Sequence, residues 1–414
     1  MADSGLKQIA YRTVPNVWSV YYQPVDFARP SHWDLIEGGL GGLNRDYGLE
    51  YWQQKDANHE FPSELWRALG DNGWLGVTIP EEYGGQGMGF LDAVFVVETA
   101  CRAAAGSTLS QLFMATPVFG GETIRRHGGD ELKQLLLPLI ATGDIGFCMA
   151  LTEPDAGSDT FATTTTAVRN GNGNYVVNGQ KVWITAVPES DYILTVARTT
   201  PVGEVDRRWK GLSLFLIDRD AAGVSFAPLD KVGTRCISSS SVYFDEVEVA
   251  GDRLIGDVDM GWPHLLDTLN TERLVTAAGC LATADLALRL ASKYAGERVV
   301  FGRAIGTNQG IQFPLAEIKM RLEAARTLTY KAAWGYDNGD TSGADANMAK
   351  YLAAEVACDA CDRAIQTLGG YGLSQEYHVE RLWRDARLFR VAPVANELIL
   401  AFVGQHVLGL PRSY

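Results

Sequence analysis

Near the middle of the chain stands Tyr175-Val-Val-Asn-Gly-Gln-Lys-Val-Trp-Ile-Thr185, a run rich in β-branched and aromatic residues. Such residues favour extended strands, where their side chains pack on a pleated surface. Asn178-Gly179 divides the run, and both residues tolerate the positive φ angles of a type I′ turn. The segment therefore predicts two antiparallel strands joined by a two-residue hairpin.

Similar short runs surround this segment, and each is bounded by turn residues. They include Tyr192-Ile-Leu-Thr-Val196, Leu212-Ser-Leu-Phe-Leu-Ile217 and Ser241-Val-Tyr-Phe244. Several short strands at close spacing are typical of a barrel or sandwich. We therefore predict a compact, β-barrel-like middle domain over residues 145–258.

The sequence on either side of this domain has the period of α-helices. Apolar residues recur at helical spacing before and after it, and one face after the β domain carries Leu281, Ala284, Leu288 and Ala291. We predict an N-terminal helical domain over residues 31–144 and a C-terminal helical bundle over residues 259–414. Residues 1–30 form an N-terminal extension without a clear pattern. The fold class is α+β and mostly α.

The composition argues against several classes of protein. With 414 residues, 46% of them apolar, the chain is long enough for two or three packed domains. A net charge of −14 opposes general binding to nucleic acid, because that binding depends on lysine and arginine neutralising phosphates. No apolar run approaches the roughly 20 residues of a bilayer span, and the first residues lack the order of a secretion signal. We expect neither a membrane span nor a secretion signal.

The cysteines and histidines give no sign of a metal site. Six cysteines are scattered along the chain rather than concentrated in a disulfide framework, which favours a reducing cytoplasm. Cys358-Asp-Ala-Cys361 is a lone pair within an alanine-rich helical stretch, and the six histidines show no paired spacing. Because zinc sites need four ligands at matched spacing, we predict no metal.

Two glycine-containing segments could contact a ligand. Thr152-Glu-Pro-Asp-Ala-Gly-Ser-Asp159 opens the β domain with a turn whose amides and hydroxyls could hold a phosphate. Gln366-Thr-Leu-Gly-Gly-Tyr-Gly-Leu373 lies between helical stretches and lets the backbone approach a ligand closely. It is not a dinucleotide-binding fingerprint, because no strand precedes it. Taken alone, an ordinary turn explains the first segment better than a binding site does.

Together and in this order, the two segments resemble those of the acyl-CoA dehydrogenase family. Further matches run in register through the chain: Ile79-Pro-Glu-Glu-Tyr-Gly-Gly85, Asn178-Gly-Gln-Lys-Val-Trp-Ile-Thr185, Glu272-Arg-Leu274, Glu297-Arg-Val-Val-Phe-Gly302, Asn308-Gln309 and Glu380-Arg-Leu-Trp-Arg-Asp385. The resemblance implies the family's fold, in which the C-terminal domain is a four-helix bundle. It also implies FAD as cofactor and the oxidation of an acyl-CoA thioester to trans-2-enoyl-CoA.

The resemblance assigns FAD contacts by motif position. It implies that Leu151 and Thr152 lie beside the flavin ring and that Trp183 and Thr185 flank its other side. Ser158 would lie at the pyrophosphate and close to the substrate. A second set would contact the FAD of a neighbouring subunit: Arg298, Phe301, Gln309, Gln366, Gly369 and Gly370. Such sharing implies a homo-oligomer, most often a tetramer.

The family's reaction needs a carboxylate base at the substrate α-carbon while the flavin N5 takes a hydride from the β-carbon. Many members carry this base in a late Tyr-Glu-Gly-Thr segment, but the corresponding stretch here, Val391-Ala-Pro-Val-Ala395, has no carboxylate. Glu272 matches the position that supplies the base in the isovaleryl and long-chain branches, and we assign it that role. Arg273 resembles the family's substrate-contacting arginine. Without the resemblance, Glu272 would read as an ordinary first-turn helix residue.

Pro393 raises a question about the thioester oxygen. The family stabilises this oxygen with an FAD hydroxyl and with a backbone N–H at the usual base position. Pro393 stands at that position and has no N–H. Either the loop shifts so that Val394 donates, or the second donor is absent.

The sequence thus favours an FAD-dependent acyl-CoA dehydrogenase that passes electrons to an electron-transferring flavoprotein. An acyl-CoA oxidase or a flavin monooxygenase on the same fold is an alternative, although the Glu272-Arg273 pair argues against the monooxygenase. A non-catalytic flavoprotein draws support from Pro393, but the nearly complete set of flavin motifs opposes it. The motif residues do not specify the acyl group.

Overall fold

The computed structural model describes residues 28–340 and 343–412. The extension at residues 1–30 therefore lies almost entirely outside the described residues. Within them, the chain forms helices, then strands, then helices again. The expected α+β, mostly α architecture is confirmed.

The N-terminal part is a layer of short helices. They are α1 (Trp33–Asp46), α2 (Leu49–Asn58), α3 (Ser63–Asp71), α4 (Phe90–Arg102), α5 (Ser107–Phe113), α6 (Thr123–His127) and α7 (Asp130–Thr142). A π-helical stretch, Met114–Glu122, connects α5 to α6. Helix α4 is central, because residues 93–101 are all buried and the helix packs on α1, α5 and the C-terminal bundle.

The middle part is one eight-stranded sheet. Its strands are β1 (Phe147–Ala150), β2 (Thr166–Arg169), β3 (Tyr175–Thr185), β4 (Tyr192–Arg198), β5 (Leu212–Asp218), β6 (Val224–Pro228), β7 (Ser239–Val249) and β8 (Leu254–Ile255). The order is β6-β7-β3-β2-β4-β5-β8, and β1 pairs with β4. β1 and β2 run parallel to β4, while the other pairs are antiparallel.

Most strands of the sheet contribute to one shared buried core. One buried cluster takes side chains from six strands, β1 to β5 and β7: Cys148, Ala167, Tyr175, Ile193, Phe215 and Val242. The rings of Tyr175 and Phe215 meet edge to face with centroids 4.9 Å apart. Strands from different parts of the sheet order therefore share one interior.

The predicted hairpin at Asn178-Gly179 is wrong. Strand β3 runs without a break through both residues and pairs with β7. Gly179 has φ 151° at a register shift in that pairing, and a Cβ there would lie 2.5 Å from Thr165 Oγ1. The glycine therefore permits a close approach of two backbones rather than a turn. The tight turn lies earlier, between β2 and β3, where the Gly173 N–H donates to the Asn170 carbonyl (3.2 Å).

The C-terminal part is a bundle of three long helices and one short one. They are α8 (Gly261–Glu297), α9 (Gln309–Asp337), α10 (Ala344–Leu368) and α11 (Val379–Ala386), followed by α12 (Asn396–Phe402). A two-stranded ribbon, β9 (Val299–Val300) with β10 (Arg303–Ala304), joins α8 to α9. The predicted apolar face of α8 is confirmed, because the side chains of Leu281, Ala284, Leu288 and Ala291 are all buried.

Helix α8 is the core helix of the molecule. It contacts α4 and α5 of the N-terminal layer, β5 of the sheet and both long helices of the bundle. Among the described residues it alone is long and apolar enough to cross a membrane, yet its most apolar window is mostly buried inside the protein. The three parts of the chain meet at its first half: Leu265 packs with strand residues, Leu274 with the N-terminal helices and Ala277 with the bundle.

Candidate active site

Glu272 lies in the first half of α8 and is almost completely buried, with 2% of its surface exposed. Its Oε2 atom is buried and has no hydrogen-bond partner among the described residues. Burial raises the pKa of this carboxyl to about 8, against the opposing charges of Arg273 and Lys350. A carboxyl with this raised pKa can take up a proton near neutral pH.

Arg273 is also buried beside Glu272 on α8. Its Nη1 atom donates to Asn270 Oδ1 at 2.7 Å, while its Nε is buried without a partner in the described part of the chain. Burial lowers the pKa of the guanidinium, and the charge of Glu272 opposes that effect. An unpartnered N–H on a buried cation is a donor still available to a ligand.

Lys350 of α10 is a site residue that the sequence analysis missed. Its side chain is fully buried, and Nζ donates to the carbonyl oxygens of Phe389 (2.6 Å) and Val394 (2.7 Å) and to Asn396 Oδ1 (3.0 Å). Three acceptors match the three N–H donors of an ammonium group. Burial lowers its pKa to about 8, which the charge of nearby Glu272 opposes. The available signal was a single lysine within the alanine-rich face of α10.

The segment containing Leu151 and Thr152 is held by a buried ion pair. Lys181 of β3 donates to Glu153 Oε1 (2.9 Å) and to the Leu151 carbonyl (3.0 Å). The Val182 N–H donates to the Thr152 carbonyl (2.9 Å). These contacts fix the segment after β1 against β3, so Leu151 and Thr152 lie beside the strand that carries Trp183 and Thr185.

Trp183 stands out on β3, because it has φ 63° and 58% of its surface is exposed. It falls within a second register shift of the β3–β7 pairing, between Lys181 and Ile184. A positive φ is rare for a bulky residue and marks strain or function. The irregularity leaves a large flat indole exposed beside the Leu151–Thr152 segment.

Ser158 lies in an exposed turn between β1 and β2. No other group lies within 4 Å of the position of a Cβ on the preceding Gly157. The turn therefore has room for a charged ligand against its backbone and hydroxyl groups.

Four of the six residues of the second predicted set lie together where α8 and α10 end. Arg298, Gln366, Gly369 and Gly370 line one open cleft of about 480 Å³, together with Tyr371. The Arg298 guanidinium lies 6.0 Å from the centroid of the Tyr371 ring. No other group approaches within 4 Å of a Cβ position on either glycine, so the backbone here is open to a ligand.

Phe301 and Gln309 are not among the residues that line this cleft. Phe301 is fully exposed with φ 51° in the turn between β9 and β10, and Gln309 is exposed at the first position of α9. Phe301 lies with Arg298 on the segment between α8 and α9, and Gln309 begins α9 directly after it. Among the described residues, no hydrogen bond or ion pair joins this set to the Leu151–Thr185 set.

The loop that contains Pro393 is short and tethered to α10. The Ala392–Pro393 peptide is cis. The Val394 carbonyl is directed to Lys350 Nζ, and Ala395 is the residue before α12. Pro393 itself offers no N–H, as expected.

Among the described residues, no group of three or more histidine, cysteine, aspartate or glutamate side chains is placed to hold a metal ion. All six cysteines are buried and free. Cys358 Sγ donates to the Ala386 carbonyl (3.2 Å), which is a packing contact.

Comparison with known proteins identifies the family. Three acyl-CoA dehydrogenase domains match in order: the N-terminal domain over residues 45–144, the middle domain over 148–247 and the C-terminal domain over 259–408. The chain belongs to the acyl-CoA dehydrogenase family.

Close relatives agree along most of the chain. Acyl-CoA dehydrogenase FadE12 of Mycobacterium tuberculosis (strain ATCC 25618 / H37Rv) is 41% identical over 371 residues, covering 89% of this chain and 94% of the relative. Probable acyl-CoA dehydrogenase YdiO of Escherichia coli (strain K12) is 32% identical, covering 93% and 98%. A structure of glutaryl-coenzyme A dehydrogenase with glutaryl-CoA superposes with a TM-score of 0.89 at 31% identity, covering 94% of this chain and 98% of that chain.

The protein is therefore an FAD-dependent oxidoreductase of this family. Its residues fit the cofactor, because the exposed indole of Trp183 offers a surface for a flat ring. The open turn at Gly157-Ser158 and the open backbone at Gly369-Gly370 offer room for phosphates or a nucleotide.

Proposed function

We propose that this protein is an acyl-CoA dehydrogenase that converts an acyl-CoA thioester to the trans-2-enoyl-CoA, with Glu272 as the base. One observation carries the proposal: Glu272 is a buried carboxyl on the core helix with an unpartnered oxygen and a pKa of about 8. A base performs best when its pKa lies near the working pH, and burial supplies that adjustment.

Glu272 in its carboxylate form takes the proton from the substrate α-carbon. FAD, when bound, supplies the acceptor for the hydride that leaves the β-carbon. Arg273 holds its guanidinium beside the carboxylate and has one N–H free for the substrate. Buried neighbours on α8, including Thr271, Leu274 and Val275, exclude water from the base.

We further propose that Leu151, Thr152, Ser158, Trp183 and Thr185 contact the FAD of their own chain, and that Ser158 also approaches the substrate. The cleft and the α8–α9 segment would contact the FAD of a neighbouring subunit, in a homo-oligomer that is a tetramer. An electron-transferring flavoprotein would accept the electrons. Six buried free cysteines support a cytoplasmic location.

The test is anaerobic mixing of the purified, FAD-loaded protein with a panel of straight-chain and branched acyl-CoAs. Bleaching of the oxidised flavin absorbance is expected with at least one thioester, and the fastest one names the acyl class. A flavin that keeps its absorbance with every thioester would overturn the proposal. Hydrogen peroxide formation in air at the bleaching rate would assign the protein as an acyl-CoA oxidase instead.

A further inference from the structure

Lys350 ties the loop of residues 391–395 to α10 at both ends. It donates to the Phe389 carbonyl before the loop and to the Val394 carbonyl and Asn396 Oδ1 at its end. A buried lysine is costly unless its donors are satisfied, and here all three N–H groups have acceptors. One side chain of α10 thus holds both ends of the loop.

A second set of contacts supports the same arrangement. Asn396 Nδ2 donates to Glu355 Oε1 at 2.7 Å, and Arg390 donates to both oxygens of Glu355 at 3.0 and 2.8 Å. The side-chain amide of Asn396 is therefore held in one orientation, with its Oδ1 atom directed to Lys350. The two residues that flank the loop, Arg390 and Asn396, are both fastened to α10.

These contacts set the direction of the peptide unit between Val394 and Ala395. In a trans peptide the C=O and N–H bonds point in opposite directions. Because the Val394 carbonyl points to Lys350, the Ala395 N–H points away from α10. No described residue accepts a hydrogen bond from this N–H, whereas the Ala395 carbonyl accepts from Leu398 and Ile399 at the start of α12.

We propose that Lys350 is a positioning residue of the reaction, which holds the 394–395 peptide so that the Ala395 N–H donates to the thioester oxygen of the substrate. This inference rests on the proposed function. Removal of the α-proton places negative charge on the thioester oxygen, and a preorganised N–H stabilises that charge. Pro393 has no N–H to offer. The Val394 carbonyl is held by Lys350, so the N–H of Ala395 in the same peptide unit points away from α10.

The first test removes the donor itself. Ala395 has φ −56°, close to the angle that a proline ring imposes, so Ala395→Pro deletes the N–H with little change of the backbone at that residue. Ala395→Ser is the matched control, because it keeps the N–H and suits a helix N-cap. With the best acyl-CoA from the panel, Ala395→Pro should slow anaerobic flavin reduction on the order of 10²-fold, the scale of losing one oxyanion donor. Ala395→Ser should stay within about threefold of the wild type.

The second test asks whether Lys350 acts through that N–H. Lys350→Met should slow flavin reduction on a similar scale, and the double variant Lys350→Met/Ala395→Pro should be no slower than the slower single variant, because both remove the same interaction. Rates are taken at the pH plateau of each variant, so that a changed protonation of Glu272 does not contribute. If Lys350→Met does not fold or load FAD, Asn396→Ala replaces it, since it removes one acceptor and leaves the lysine.

A third readout needs no hydride transfer. A 3-thiaacyl-CoA carries sulfur in place of the β-carbon, so it can lose its α-proton to Glu272 but has no hydride to give. The bound anion should produce a long-wavelength absorption band with the wild type and with Ala395→Ser, and a weaker band with Ala395→Pro and Lys350→Met. A merely structural role of Lys350 would lower FAD content or stability without weakening this band per bound FAD.

The outcomes separate this inference from the proposed function. A wild type that no acyl-CoA bleaches would overturn the proposed function, and this inference with it. A reactive wild type with an Ala395→Pro variant of nearly equal rate and band intensity would overturn this inference alone. Multiplying rate losses in the double variant would show that Lys350 does not act through the Ala395 N–H.

Discussion

Glu272 obtains its proton affinity from its position in the fold. Arg273 is adjacent in the sequence and Lys350 lies on the helix packed against it, and both positive charges lower the pKa of the carboxyl. Burial nevertheless dominates and raises that pKa to about 8. Because the desolvation of the charged form sets this value, a neutral amide at the same place should be tolerated by the fold.

Glu272→Gln should therefore keep the fold and FAD but lose reactivity, because an amide cannot accept the α-proton. We expect flavin reduction to slow on the order of 10²-fold or more, the scale typical of losing a general base. Rapid mixing under anaerobic conditions measures this rate. Glu323→Gln, a partly exposed glutamate of α9, is the control and should react like the wild type. A near wild-type rate for Glu272→Gln would place the base elsewhere.

The pH dependence of kcat/KM should follow the same carboxyl. Burial raises the pKa of Glu272 to about 8, and only the deprotonated form accepts a proton. The rate should therefore rise with pH through that value and fall about tenfold per pH unit below it. The residual rate of Glu272→Gln should lack this limb. A wild-type profile that is flat between pH 6 and pH 9 would contradict the assignment.

Among the individual site residues, Glu272 could be assigned from the sequence but Lys350 could not. The first followed from a motif match together with the missing carboxylate at Val391–Ala395. The second depends on carbonyl groups of Phe389 and Val394, and any sequence carries carbonyls at every residue. A buried lysine becomes recognisable only when the fold directs those carbonyls to it.

Strand β3 shows that the pairing of distant strands can override the turn propensity of a short sequence. Asn178-Gly179 has the composition of a hairpin turn, yet the pairing of β3 with the distant β7 keeps the strand extended through it. The turn forms instead at 170–174, where Asn170 Oδ1 accepts the N–H groups of Asn172 and Asn174. The long helices α8, α9 and α10 were predictable because their apolar period persists over many turns.

Helix α11 fastens all three parts of the chain together. Arg384 donates to Asp56 of α2 (2.6 Å), to Glu380 (2.7 Å) and to the Val232 carbonyl after the sheet strand β6 (3.2 Å). Asp385 accepts from Thr108 Oγ1 (2.8 Å) and from the Thr234 N–H (2.5 Å). An eight-residue helix thus links the N-terminal layer, the β domain and the bundle.

Arg384→Leu should destabilise the protein strongly, because it leaves the buried Asp56 carboxylate without its cation. Removing one partner of a buried ion pair costs about 3–5 kcal/mol. Chemical unfolding followed by tryptophan fluorescence measures the loss. Arg387→Leu, at an exposed arginine just after the same helix, should change stability by less than about 0.5 kcal/mol. Equal stabilities of the two variants would show that the ion pair does not fasten α11.

At the scale of the whole molecule, exposed apolar residues indicate where a neighbouring subunit binds. The ribbon between α8 and α9 exposes Val299, Val300 and the complete side chain of Phe301. Phe301 also has φ 51°, an unfavourable conformation for a bulky residue. Within one chain nothing among the described residues compensates for this exposure and strain, which favours a neighbouring subunit as the missing contact.

Phe301→Asp should therefore weaken subunit assembly and FAD binding together. Light scattering of the wild type should give a mass at least twice the 45.1 kDa of one chain, and the variant should shift towards that single-chain mass. Its absorbance should also show less FAD per chain, because the side chain is proposed to contact the cofactor of the neighbouring subunit. Leu35→Asp changes an equally apolar residue of α1 with 77% of its surface exposed, and should leave both mass and FAD content unchanged. A Phe301→Asp protein with wild-type mass and full FAD would contradict the shared site. Loss of FAD without dissociation would support the cofactor contact but show that Phe301 is not needed for subunit assembly.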